Sequence, residues 1–201
     1  MEAVARGEGH SEALIDRRSE PHMEGARILR EPLLQRQQPV PIADGQPAQP
    51  IARADLERIL DAGRRSASAS NWQPWNFVVV TDRPQLVELA KVWQGARHVA
   101  RSAATVAFVV RQPEDTRHQE LLMYDLGQAT ANIMLAATDL GIGSGHAAVS
   151  DQEQARRVLV FPDGYFCAYL IGLGYPADRP LRPLARPDRR PFNEVVHWDR
   201  W

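Results

Sequence analysis

The 201-residue chain reads as an α+β protein, with a modest sheet flanked by helices and one long central helix. Three observations lead there. Helical and strand-like segments alternate irregularly from residue 51 on, without the regular βαβ repeat that a parallel sheet needs. Ala104-Thr105-Val106-Ala107-Phe108-Val109-Val110 is apolar throughout, as expected of a strand covered on both faces. Gln119 to Leu140 places Leu122, Leu126, Ala129, Ile133, Ala137 and Leu140 three or four residues apart. The Ala and Met residues on its other sides predict a helix buried almost all round.

Residues 1–50 form an irregular N-terminal arm, rich in proline (Pro21, Pro32, Pro39, Pro41, Pro47, Pro50) and glutamine, with room for a short helix near Ser11 to Arg18. The regular domain spans 51–201. Its first helix, Arg53 to Arg65, carries Leu56, Ile59 and Leu60, with Asp55 and Glu57 in the first turn, where the helix dipole favours them. A strand follows at Phe77 to Val80. A second helix is expected over Arg83 to Trp93, opened by Pro84 and burying Leu86, Leu89, Ala90 and Trp93. Gly141 is the expected stop of the long helix. Asp151 to Leu159 reads as a further helix, Phe166 to Leu173 as a strand, and Tyr175 to Trp201 as a Pro- and Arg-rich tail.

Composition removes several function classes. A net charge of −1 gives no bulk attraction to nucleic acid or anionic membrane. No apolar run is long enough to span a bilayer and no secretory leader is visible, so the expectation is a cytoplasmic protein. The lone Cys167 lies in an apolar run and is read as a buried, inert thiol. The six histidines never pair at ligand spacing, so no metal is expected. No Ser-His-Asp arrangement can be argued either, and no catalytic side chain is assigned. Chemistry carried by a redox cofactor asks little of side chains beyond binding and electrostatics.

Two glycine motifs need weighing. Gly172-Leu173-Gly174-Tyr175-Pro176-Ala177 matches G-x-G-x-x-A, but Pro176, Pro180 and Pro183 forbid the helix that must follow, so it reads as a strand-ending turn. Gly141-Ile142-Gly143-Ser144-Gly145-His146 reads equally well as a plain helix-to-strand turn or as a loop letting backbone N–H groups approach a ligand. The most informative stretch is Ser66 to Trp75. Its serines, amides and two tryptophans suit a pocket for a flat, polar-edged cofactor better than they suit packing alone.

Three stretches together resemble the nitroreductase family of flavoproteins. They are Ser68-x-x-Asn71-x-Gln73-Pro74-Trp75 before a strand, Asp125-x-Gly127-x-Ala129-x-x-Asn132 leading to Gly141-x-Gly143-Ser144, and Leu173-Gly174-Tyr175-Pro176 with Arg189-Arg190-Pro191-Phe192-x-Glu194. The resemblance covers about residues 51–201. It implies a nitroreductase-like sandwich and a homodimer binding FMN at the subunit interface. It also implies ping-pong transfer of a hydride from NAD(P)H through flavin N5 to nitroaromatics, quinones or similar small acceptors. By the same resemblance Ser68 and Asn71 contact the flavin with Gln73 close by, Gly143 and Ser144 form a turn near the isoalloxazine, and Arg189 or Arg190 grips the phosphate. Trp198 and Trp201 are expected dimer contacts. The family usually opens with R-R-S-x-R. Here Arg17-Arg18-Ser19 is followed by Glu20-Pro21-His22, and the first helix is late. Residues 20–50 then loop out while Arg17 and Ser19 reach the phosphate, which loop-closure entropy tolerates; the other reading is a divergent arm and a weaker site. Two further alternatives are a flavin-sequestering protein without turnover, and the same fold with a deazaflavin or a flavin-fragmenting reaction.

Overall fold

The computed structural model describes residues 48–176, 181 and 188–201. Arg17, Ser19, the short helix near Ser11 to Arg18 and the whole N-terminal arm lie outside them. The described chain runs α1 (Arg53–Arg64), β1 (Trp75–Val80), α2 (Arg83–Leu89), β2 (Ala104–Arg111), α3 (Thr116–Asp139), β3 (Gly143–Ala148), α4 (Gln152–Leu159), β4 (Tyr165–Gly174) and α5 (Phe192–Val195). The four strands form one antiparallel sheet in the order β1-β2-β4-β3. The predominantly apolar β2 is interior, as its sequence required.

The sheet buries both faces. Val106, Phe108 and Val110 of β2, with Ile171 and Leu173 of β4, pack with Leu56 and Ile59 of α1 and Leu126, Ala129 and Ile133 of α3. Ala107, Val109, Cys167 and Leu170 face the other way, onto Leu86 and Leu89 of α2 and Ala155 of α4. Burial pushes the Cys167 thiol up to about 12, which leaves it protonated and inert at neutral pH.

Local chemistry sets the boundaries. The carboxylates of Asp82, Asp115 and Asp151 accept the N–H groups of Gln85, His118 and Gln154, capping α2, α3 and α4. α3 ends as its glycine predicts. Gly141 takes φ 73°, its N–H donates to Thr138 O at 2.9 Å, and Ile142 N–H donates to Ala137 O at 2.8 Å, a Schellman closure.

Four expectations change. The second helix stops at Leu89, a 3-10 turn covers Ala90–Val92, and Trp93 is extended and partly exposed rather than on a buried helical face. Its ring lies over Gly95, where an added Cβ would clash at 2.1 Å. Gly143-Ser144-Gly145 is not a turn but the start of edge strand β3, in register with Gly174, Leu173 and Gly172. β4 likewise runs through Gly172 to Gly174 before it ends. Finally, α3 is not covered all round. One stripe is buried, whereas Tyr124 is 71% exposed and Gly127 and Ala131 also face solvent.

Gly63 sets the distance between α1 and α3. A Cβ there would lie 2.6 Å from Ile133 Cγ1 and 2.7 Å from Cδ1. Gly63→Ala gains helix propensity of about 1 kcal/mol but overpacks the contact, and the net expectation is a loss of about 1–2 kcal/mol. Adding Ile133→Ala removes both the Cγ1 and the Cδ1 in the way, so the double variant should be less destabilised than the two single changes summed, as chemical denaturation can measure.

Candidate functional site

The loop joining α1 to β1 is built under strain. Ser70, Asn71 and Gln73 take φ of 48°, 57° and 48°, the left-handed region that only glycine enters freely. Asn tolerates it, while Ser and Gln require outside support. That support comes from three sides. Ser68 Oγ accepts the Gln73 N–H at 3.0 Å, closing the loop on itself. The Gln73 side-chain amide donates to Asn71 O at 3.3 Å and to Asn71 Oδ1 at 3.2 Å. Beneath them the Asp125 carboxylate of α3, 1% exposed, accepts the Ala69 N–H at 3.0 Å and the Trp72 indole N–H at 2.5 Å. One helical stretch further on, Asn132 Nδ2 donates to Ser66 Oγ at 2.8 Å.

Ser68, Asn71 and Gln73 are therefore brought together, with Asn71 and Gln73 open to solvent and Ser68 half-buried. The Ser68 hydroxyl keeps its own proton to donate outward, and Asn71 Nδ2 keeps its donors. Gln73 is turned toward Asn71, which makes it a brace of the loop. The two tryptophans divide: Trp75 is core, stacked on Phe77 at 6.4 Å, and only Trp72 stays partly open, beside the His118 ring.

Asp125 and Asn132 were missed as site residues. Their signal was present: two polar residues seven apart share a face of the helix with apolar neighbours, and that face meets the loop.

Gly143 and Ser144 lie elsewhere. Trp75, where the loop enters the sheet, pairs with Val110 at the C-terminal end of β2, whereas Ser144 pairs with Leu173, which pairs with Ala104 at the other end. β1 and β3 are also opposite edges. Six residues along and three strand spacings across put the two corners roughly 25 Å apart. Following α3 gives a similar figure, since the loop is pinned at Asp125 and the helix rises about 22 Å further before it ends near residue 140.

Gly145 serves packing. His98 Nε2 lies 3.0 Å from Gly145 O, and a Cβ on Gly145 or Gly172 would approach the imidazole at 3.3 or 3.0 Å. Arg189 and Arg190 are exposed. Arg189 Nη1 donates to Asp188 O at 2.9 Å; Arg190 donates to Glu194 O at 2.9 Å, with its Nε 3.5 Å from the Glu194 carboxylate. Among the described residues no group of His, Cys, Asp and Glu could hold a metal ion, and no helix is long and apolar enough to cross a membrane.

The sequence model of the nitroreductase family matches residues 47–175. The chain belongs to the nitroreductase family. A relative from Archaeoglobus fulgidus, provisionally described as an NADH dehydrogenase/NAD(P)H nitroreductase, is 31% identical over 156 residues, 75% of this chain and 88% of its own. The oxygen-insensitive NADPH nitroreductase of Salmonella typhimurium is 28% identical, covering 74% of this chain and 66% of that protein. Among solved structures, the NADPH:FMN oxidoreductase of Vibrio harveyi, complexed with NAD+, superposes with a TM-score of 0.65 at 25% identity, covering 77% of this chain and 71% of that one. The fold expected from the resemblance is thus the fold of the family.

Proposed function

We propose that two copies of this chain form an FMN-dependent NAD(P)H oxidoreductase, with each flavin held between the Ser68–Gln73 loop of one copy and the Gly143–Ser144 corner of the other. The separation of those two corners carries the reading. One three-ring isoalloxazine cannot bridge roughly 25 Å, so a flavin touching both requires a second chain. The exposed Tyr124, Gly127 and Ala131 side of α3 offers a flat face for that chain to cover.

The donor set fits the cofactor. A free hydroxyl proton at Ser68 and the amide of Asn71 suit the polar edge of a flavin, and the exposed fork of Arg189 suits a phosphate. Arg17 and Ser19 are proposed as further phosphate contacts, with Arg190 held partly by Glu194. When bound, FMN would supply hydride-transfer chemistry between NAD(P)H and an oxidised acceptor, and Ser68, Asn71 and Arg189 would hold it. The protein binds and orients: no acid or base is called for, and donor and acceptor use one pocket in turn. Half-exposed Trp72 gives a planar neighbour for flat acceptors such as nitroaromatics and quinones.

The purified protein should be yellow. Under anaerobic conditions NADPH or NADH should bleach the flavin band, and a nitroaromatic or quinone should restore it. Protein that takes up no FMN defeats the proposal, bound FMN without turnover indicates sequestration, and the mass of the released cofactor exposes a deazaflavin.

A further inference from the structure

The proposed chemistry leaves a buried carboxylate, that of Asp125, without a part. Asp125 is 1% exposed, and among the described residues its hydrogen-bond partners are Ala69, Trp72 and Gln128, none of them basic. One oxygen, Oδ2, takes both the Ala69 N–H and the Trp72 indole N–H, while Oδ1 lies 3.4 Å from Gln128 Nε2. Burying a carboxylate whose partners are neutral N–H groups is costly. What it holds is the loop with three left-handed non-glycine residues in four positions. Ala69 and Trp72 lie on either side of Ser70 and Asn71, so the carboxylate ties both ends of the strained turn to a helix.

We infer that Asp125 is the positioning residue of this loop, setting FMN affinity by fixing where Ser68 and Asn71 stand, without touching the flavin itself. The inference rests on the flavin reading given above. Without the tie, Ser70 and Gln73 relax toward negative φ, and the Ser68 hydroxyl and Asn71 amide lose their fixed positions. Binding must then reorder the loop, and the apparent affinity falls by the fraction of chains found in the competent form.

The geometry separates Asp125→Leu from Asp125→Asn. Leucine keeps the volume and removes both acceptors. Asparagine can place its single carbonyl oxygen where Oδ2 stands and turn its NH₂ toward Gln128, whose amide flips to accept it. The experiment compares wild type, D125L and D125N by FMN titration and by amide hydrogen exchange, at a temperature where near-UV circular dichroism shows each folded. D125L should raise the FMN Kd on the order of 30-fold and speed exchange in segment 66–74 on the order of 10-fold or more, with the rest of α3 unchanged. D125N should stay within about threefold of wild type on both measures. Trp72→Phe keeps a ring and removes only the indole donor, so it should speed exchange in the same segment even if D125L does not fold. Wild-type FMN affinity in a folded D125L, or unchanged exchange at 66–74, overturns the inference. Wild-type protein that binds no FMN would instead defeat the flavin reading, and exchange would still decide whether Asp125 holds the loop.

Discussion

Replacing Arg189 and Arg190 together with alanine should raise the FMN Kd on the order of 100-fold and yield colourless protein, since each charge-assisted contact to phosphate contributes about 1.5–3 kcal/mol. The two arginines are not equal. Arg190 reaches Glu194 through both its backbone carbonyl and its carboxylate, and binding phosphate would disturb those contacts. Among the described residues Arg189 donates to the carbonyl of Asp188 alone. Arg189→Ala alone should therefore account for most of the loss, and Arg190→Ala for the smaller part. Riboflavin, which lacks the phosphate, should bind wild type and the double variant alike. Fluorescence titrations with FMN and riboflavin measure both effects; an unchanged FMN affinity in the double variant would place the phosphate anchor elsewhere in the chain.

Much of the fold was legible because its determinants are local. The unbroken apolar run of β2 required cover on both faces, and it is the interior strand. Gly141 ends α3 because a left-handed residue lets the N–H groups of Gly141 and Ile142 reach the orphan carbonyls of Thr138 and Ala137. β3 was not legible for the opposite reason. Gly143-Ser144-Gly145 has no β-branched residue, and its strand conformation is imposed by pairing with β4, a tertiary effect that overrides propensity. Gly145 also answers to His98, 47 residues away, and no local pattern reports that contact. Trp93 looked like the buried end of an amphipathic helix, yet the chain turns at Val92 and lays the ring over Gly95.

The candidate site divides along the same line. Ser68, Asn71 and Gln73 stood out because hydroxyls and amides crowd a helix-to-strand junction, and they do form one loop. Their support by Asp125 spans more than fifty positions and depends on which side of α3 faces the loop. The exposed strip of α3 was hidden for another reason. Alanine and glycine are compatible with a sheet, a neighbouring helix or a second copy, so composition predicted burial without saying by what.

The second large effect concerns the sharing of the site. Asn71→Val puts a β-branched residue at φ 57° and removes the amide, disabling the loop corner; Ser144→Trp fills the opposite corner at the β3 edge. Each variant as a homodimer should bind almost no FMN and show almost no turnover. In a heterodimer isolated with two different tags, both lesions fall on one site and the other site is assembled from two unaltered corners. The one measurement is FMN content and NADPH-driven quinone turnover of that heterodimer. A site shared by two copies predicts recovery of about half the wild-type values. A heterodimer as empty and inactive as its parents would contradict it, because each flavin site would then lie within a single chain.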